Sequence, residues 1–222
     1  MDTVKHKIEH HLSDELLMAY SAGTLPEAFS LVVATHISIC DTCRARMYEF
    51  DAVGGAVLDD AEEMSLSDGA LEATLKLISE RPKDPIKTQL VAKPAPSVFP
   101  KPLQDYVGGD LEKVKWRKIG NGVRQAILPT SKDASVRLLH IPAGCELPDH
   151  GHRGTELTLV LQGAFLDEDE RFARGDIEIA NEDLHHTPIA DIGEDCICLA
   201  ATDAPLKFNQ LIPRVAQPFL RI

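Results

Sequence analysis

Residues 144–163 read GCELPDHGHRGTELTLVLQG. Within them His150, His152 and Glu156 form an H-x-H-x3-E frame bounded by Gly144 and Gly163. Alternate residues of a strand project to one side, and Glu156 shares the parity of the two histidines, so all three side chains can converge inside a barrel. A frame of this length is far more specific than a lone histidine pair. The fourth ligand of such a site has to come from later in the chain. Gly175 and Asp176 open another strand, at whose far end stand His185 and His186. His186 is the preferred ligand and His185 the alternative. Three imidazoles and one carboxylate suit zinc, manganese, iron or nickel.

Around this frame, short apolar runs alternate with Gly, Pro and Asp at Val123–Leu128, Ser135–Ile141 and residues 157–161, 176–180 and 196–201. Short strands at such spacing predict a small antiparallel sandwich or barrel. Upstream, Pro82, Pro85, Pro94, Pro96, Pro100 and Pro102 interrupt a polar stretch. Neither a helix nor a sheet ladder continues through them, so residues 81–102 read as a linker that allows motion. Before the linker the spacing is helical. Ser13, followed by Asp14 and Glu15, has the pattern of an N-cap with an acidic first turn, and Leu16, Leu17 and Tyr20 follow before Gly23 stops the run. Pro26 suits the first turn of a second helix carrying Phe29, Leu31, Val32, Val33 and Ile37, apolar around most of its girth and hence central in a bundle. A third helix is expected from about Asp41 toward Val53. A fourth, from Ser67 to Ile78, carries a Leu71, Leu75 and Ile78 stripe. The fold class expected is multidomain, α followed by all-β: a small helical bundle over residues 1–80, the linker, a barrel over 103–205, and a tail over 206–222 without a clear pattern.

The bundle contains a second constellation. His36, Cys40 and Cys43 form H-x3-C-x2-C. The i, i+4 step places His36 and Cys40 on one face if the second helix persists, and the CxxC spacing lets a turn offer two thiolates to one ion. A closed tetrahedral site needs one more ligand, and the His10 and His11 pair just before the first helix can supply it. Such a sulfur and nitrogen set favours zinc and would stabilise a domain too small for a generous core. A redox CxxC would follow a strand, whereas this one follows a helical pattern. His140, Cys196 and Cys198, on apolar strands, read as core residues, and Cys145, in a turn, as the more exposed thiol.

Composition narrows the function. A net charge of −12 disfavours direct nucleic-acid binding, because phosphate contacts need clustered Lys and Arg, and it suits a basic protein partner. Five cysteines form an odd set, and no basic start followed by an apolar stretch marks export, so reduced thiols and a cytoplasmic location are expected. The most apolar run, residues 29–40, is too short to cross a bilayer.

The frame of residues 144–163 resembles the first cupin motif, and residues 175–186 resemble a degenerate second one, with Asn181 and Asp183 in place of its Pro and Gly. The H-x3-C-x2-C, preceded by His11 in HHLSDELL, resembles the zinc-binding anti-sigma domain. In this order the two halves resemble the ChrR family of anti-sigma factors over nearly the whole chain. The resemblance implies a zinc-binding helical bundle followed by a cupin β-barrel of the antiparallel jelly-roll type. It implies one zinc at His11, His36, Cys40 and Cys43, and a second zinc, or another divalent transition metal, at His150, His152, Glu156 and His186. It further implies a one-to-one complex with a group IV sigma factor, released when the cupin responds to singlet oxygen or organic peroxide. No catalytic residue and no small-molecule substrate are expected. The competing reading is a cupin metalloenzyme, an oxygenase or isomerase, with an accessory zinc domain.

Overall fold

The computed structural model describes residues 6–81 and 97–208. Its first helix, α1 (Asp14–Ser21), starts where the sequence predicts. Ser13 is extended, its Oγ accepts from the Leu16 amide at 3.4 Å, and Asp14 and Glu15 lie at the positive end of the helix dipole. Helix α2 (Glu27–Ile37) follows Pro26, which sits at the N-cap, one place outside the helix. Helices α3 (Asp41–Asp59), α4 (Ala70–Glu80) and α5 (Lys101–Val107) complete the helical part. The third is longer than expected, since its exposed second half carries only scattered apolar residues that give little pattern.

Among the described residues twelve strands follow: β1 (Arg117–Gly120), β2 (Val123–Leu128), β3 (Ser135–Ile141), β4 (His150–Gly151), β5 (Glu156–Gln162), β6 (Ala164–Asp167), β7 (Glu170–Ala173), β8 (Ile177–Ala180), β9 (His185–His186), β10 (Ile189–Ala190), β11 (Cys196–Thr202) and β12 (Lys207–Phe208). Every pairing is antiparallel. A six-stranded sheet runs β1-β2-β3-β11-β5-β8, and the smaller sheets β10-β6-β7 and β12-β4-β9 complete the barrel. The five long runs read from the sequence are β2, β3, β5, β8 and β11 of the large sheet. Strands of two residues carry no alternation to read, so β4, β9, β10 and β12 escape sequence patterning.

Helix α2 explains its own composition. It packs against α1, α3 and α5 and also against β3, β5 and β11 of the large sheet, so Phe29, Leu31, Val32, Val33 and Ile37 are all buried. Helices and barrel therefore share one hydrophobic core, in which Phe29, Phe99, Leu103, Leu138 and Leu199 belong to a single cluster. This corrects the end of the expected linker. Residues 82–96 lie outside the described residues, but Phe99 is buried and α5 begins at Lys101. Pro100 and Pro102 are helix-start residues, positions where a missing N–H costs nothing because that donor would be unpaired anyway. Of the expected tail, Lys207 and Phe208 pair with β4, and residues 209–222, with Pro213 and Pro218, lie outside the described residues. Helix α4 departs from the bundle expectation, because none of its residues is buried and its Leu71, Leu75 and Ile78 stripe faces solvent.

Candidate metal centres

The second helix does not persist to Cys40. It ends at Ile37, with Ser38 as its C-cap. Cys40 is instead the N-cap of α3, in an extended conformation, with its Sγ accepting from the Cys43 amide at 3.4 Å. The CxxC thus occupies N-cap and third-residue positions, which point both sulfurs to one place at the positive end of α3. His11 arrives on the strap of residues 6–12. Its Nδ1 stands 3.3 Å from Cys40 Sγ and 3.6 Å from Cys43 Sγ. His36, at the end of α2, is fully buried, and neither of its ring nitrogens makes a well-formed hydrogen bond, the Gly175 peptide being the polar group beside the ring. Burial, helped by His11, lowers the pKa of His36 to about 4, so its imidazole is neutral and free to ligate. His10, the other candidate, packs against Phe172 with ring centroids 4.2 Å apart and the planes tilted, and it faces Glu170. One atom from each of His11, His36, Cys40 and Cys43 lies within 4.8 Å of every other.

In the barrel, β4 and β9 place His150 directly opposite His186, and His152 follows β4. The Nε2 atoms of His150 and His152 each lie 3.1 Å from Nε2 of His186. His150 Nδ1 donates to the Pro148 carbonyl at 2.9 Å and His186 Nδ1 to Asp167 Oδ2 at 2.9 Å, which turns both Nε2 atoms inward. Burial lowers His150 and His152 to about 4. Burial also opposes charge on His186, but the Glu178 and Asp167 carboxylates outweigh it and raise this imidazole to about 9. His185, the alternative, is exposed, and its ring lies over Gly151 where a Cβ would have no room.

Glu156 departs from the expected geometry. The three imidazoles come together without it, and its carboxyl takes a hydrogen bond from Thr158 at 3.3 Å. Burial and the neighbouring Glu178 raise it to about 7 against the pull of Arg137. A half-buried acid whose charged form is disfavoured in this way is drawn less strongly toward cationic partners than a freely ionised one. Two carboxylates that the sequence reading passed over, Asp167 and Glu178, are buried beside His186 instead. The signal for Glu178 was available as a single acid between Ile177 and Ile179 in an otherwise apolar strand. Asp167, at the edge of a turn, had none. A cavity of about 470 Å³, lined by Val123, Leu139 and Phe165 on its apolar side and by His150, Glu156 and His186 on the other, opens beside the imidazoles. Cys196 and Cys198 are buried with their sulfurs 3.5 Å apart, His140 is edge-on to Trp116, and Cys145 is half-exposed.

Both clusters fit a bound cation. Tetrahedral zinc–nitrogen bonds place ligand nitrogens roughly 3.3 Å apart, and a sulfur and a nitrogen roughly 3.6 Å apart. The separations of 3.1 Å between imidazoles and 3.3 and 3.6 Å between His11 and the thiols are close to these. Three converging nitrogens share too few protons to bond one another, and a cation satisfies all three lone pairs. The His36 ring, which makes no well-formed hydrogen bond, has the same need.

An antiparallel barrel in which two facing short strands and the residue after one of them bring three histidines together, carrying a helical unit with its own thiol and imidazole cluster, defines a cupin protein of two parts. Residues 104–205 match the family described as the ChrR cupin-like domain. The chain is 58% identical to the Anti-sigma-E factor ChrR of Cereibacter sphaeroides over 97% of its own length and 99% of that protein's. It is also similar, at a TM-score of 0.76 and 57% identity, to a chain in the crystal structure of Rhodobacter sphaeroides SigE in complex with the anti-sigma ChrR, covering 89% of this chain and 100% of that one. The protein belongs to the ChrR family of anti-sigma factors.

Proposed function

We propose that this chain binds a group IV sigma factor one-to-one in the cytoplasm and keeps it from RNA polymerase, without itself touching nucleic acid. The observation that carries the reading is helix α4. Leu71, Leu75 and Ile78 form an exposed apolar stripe, and Val53, Val57 and Leu58 on the outer half of α3 are exposed as well. Apolar surface of this extent is characteristic of a face that a partner covers. The net charge of −12 suits a basic partner, and the relative solved with SigE shares the fold.

In this reading His11, His36, Cys40 and Cys43 hold a zinc ion that ties the strap and α1 to α2 and α3, so that the docking face is preformed. His150, His152 and His186 hold zinc or another divalent transition metal. Glu156, which lines the same cavity, would supply the carboxylate ligand. Bound there, a divalent metal supplies a Lewis-acid centre with an exchangeable position. The cavity beside His150 and His186 would admit small oxidants such as singlet oxygen or an organic peroxide, and sigma release would be the response.

Co-expression with a group IV sigma factor of the same source, size-exclusion chromatography and metal analysis of the peak test the proposal. A one-to-one complex with about two zinc ions per chain, one for each cluster, is expected. A chain that elutes alone with iron or manganese in the barrel would transfer the assignment to a cupin metalloenzyme.

A further inference from the structure

Four consecutive residues of the barrel, Gly175, Asp176, Ile177 and Glu178, touch both clusters. Gly175 has φ of +96°, and a Cβ there would lie 2.7 Å from the Ile8 side chain of the strap. Its peptide lies against the His36 ring. Asp176 is buried, and its carboxylate collects the amides of Glu9 and His10 at 2.8 and 3.1 Å, His6 Nε2 at 2.9 Å and the Ala173 amide at 2.9 Å. The Ile177 amide reaches the His10 carbonyl at 3.4 Å. The next residue, Glu178, stands 3.6 Å from His186 Nδ1.

We infer that Asp176 is a positioning residue for the N-terminal cluster, supplied by the barrel, and that the Gly175–Glu178 segment couples the two metal centres. The strap presents no helix or hairpin of its own among the described residues before α1, so the direction of His11 is set by what holds His10. That is a carboxylate on another element, receiving charge-assisted hydrogen bonds from two successive amides. A strand is stiff along its length, so a displacement of Glu178 that follows a change at His186 is felt at Asp176, two residues back on the same strand and its approach. The direction of influence is reciprocal, as any coupling free energy must be. The sequence offered no sign of this, because Gly175-Asp176 reads as an ordinary turn before a strand.

The inference rests on the reading that both clusters hold metal, and the experiment separates the two. Full-length protein is purified with zinc, its metal content is measured, and the alkylation rates of Cys40 and Cys43 are followed by mass spectrometry. Wild type is compared with Asp176→Asn, His186→Gln and the double variant. Loss of the charge-assisted bonds at Asp176 is expected to raise the alkylation rate about tenfold, with the barrel metal retained. His186→Gln is expected to raise it less, and the double variant no more than Asp176→Asn alone. Unchanged thiol protection in Asp176→Asn, or fully additive effects in the double variant, would overturn the coupling. Wild type that holds no metal at all would overturn the underlying reading instead. If Asp176→Asn fails to fold, Asp176→Glu keeps the charge and displaces it by one methylene. Wild-type protection in that variant would equally defeat the positioning role, and accelerated alkylation with the barrel zinc in place would support it.

Discussion

The Asp167 carboxylate receives the Nδ1–H of His186 at 2.9 Å, with both side chains buried. This bond fixes the tautomer and the ring plane of the imidazole that bridges the two other histidines, since both of their Nε2 atoms lie 3.1 Å from Nε2 of His186. Replacing Asp167 by Asn keeps the volume and removes the charge. Metal affinity of the barrel is expected to fall about 10–100-fold, measured by competition with a chromophoric chelator, while the N-terminal cluster retains its zinc.

The metal-free protein should show a stability maximum in pH. His36, His150 and His152 have folded pKa values of about 4 against 6.5, so the folded state binds fewer protons there and stability rises as pH climbs from about 4 to 6.5. Glu156, raised to about 7, opposes this between 4.5 and 7 but is one group against three. His186 is raised to about 9, so its contribution is fully present below 6.5 and is lost as pH rises through 9. Thermal melts of chelator-treated protein should therefore peak near neutrality and decline toward pH 9. A metal-loaded sample should not show that decline, because the ligated His186 has already given up its proton.

Zinc uptake at the helical cluster must release protons. Burial pushes the Cys43 thiol up to about 12, so at neutral pH it is protonated until a cation displaces the proton. Calorimetry in buffers of different ionisation enthalpy should report at least about one proton released per zinc at this site. Replacing Cys40 and Cys43 together by Ser should abolish both that release and sigma capture in a pull-down. Undiminished capture by the metal-free variant would exclude zinc from holding the docking face.

Leu75 is exposed on α4, none of whose residues is buried, so Leu75→Asp should change the unfolding free energy by less than about 0.5 kcal/mol. The same substitution places a charge in the proposed sigma-facing stripe. Capture of sigma should fall by at least tenfold, and wild-type capture would move the docking face elsewhere.

Phe99 is buried in the core shared by the helices and the large sheet. Phe99→Ala should cost about 3–5 kcal/mol and lower the melting temperature of the whole chain. A loss confined to the helical part would show that the two halves unfold independently.

How much of this was legible in the sequence depends on how local the information is. The short apolar runs of β2, β3, β5, β8 and β11 and the capping signal at Ser13 lie within single elements, and their edges were readable to within a residue or two. The same holds for ligand types, since H-x-H and CxxC bring their members together through bonds close in the chain. Family resemblance pointed to His11 and His186, yet the residues themselves left His10 and His185 open. Packing resolved both pairs: His10 lies on Phe172 and His185 over Gly151, leaving the other member of each pair facing its cluster. Tertiary structure alone decided three further matters: that Phe99 and α5 belong to a core spanning both halves, that Asp167 and Glu178 stand behind His186, and that a barrel carboxylate at Asp176 holds the strap bearing His11. Each joins residues far apart in sequence, and such contacts follow from how whole faces of elements are buried against one another rather than from any spacing along the chain.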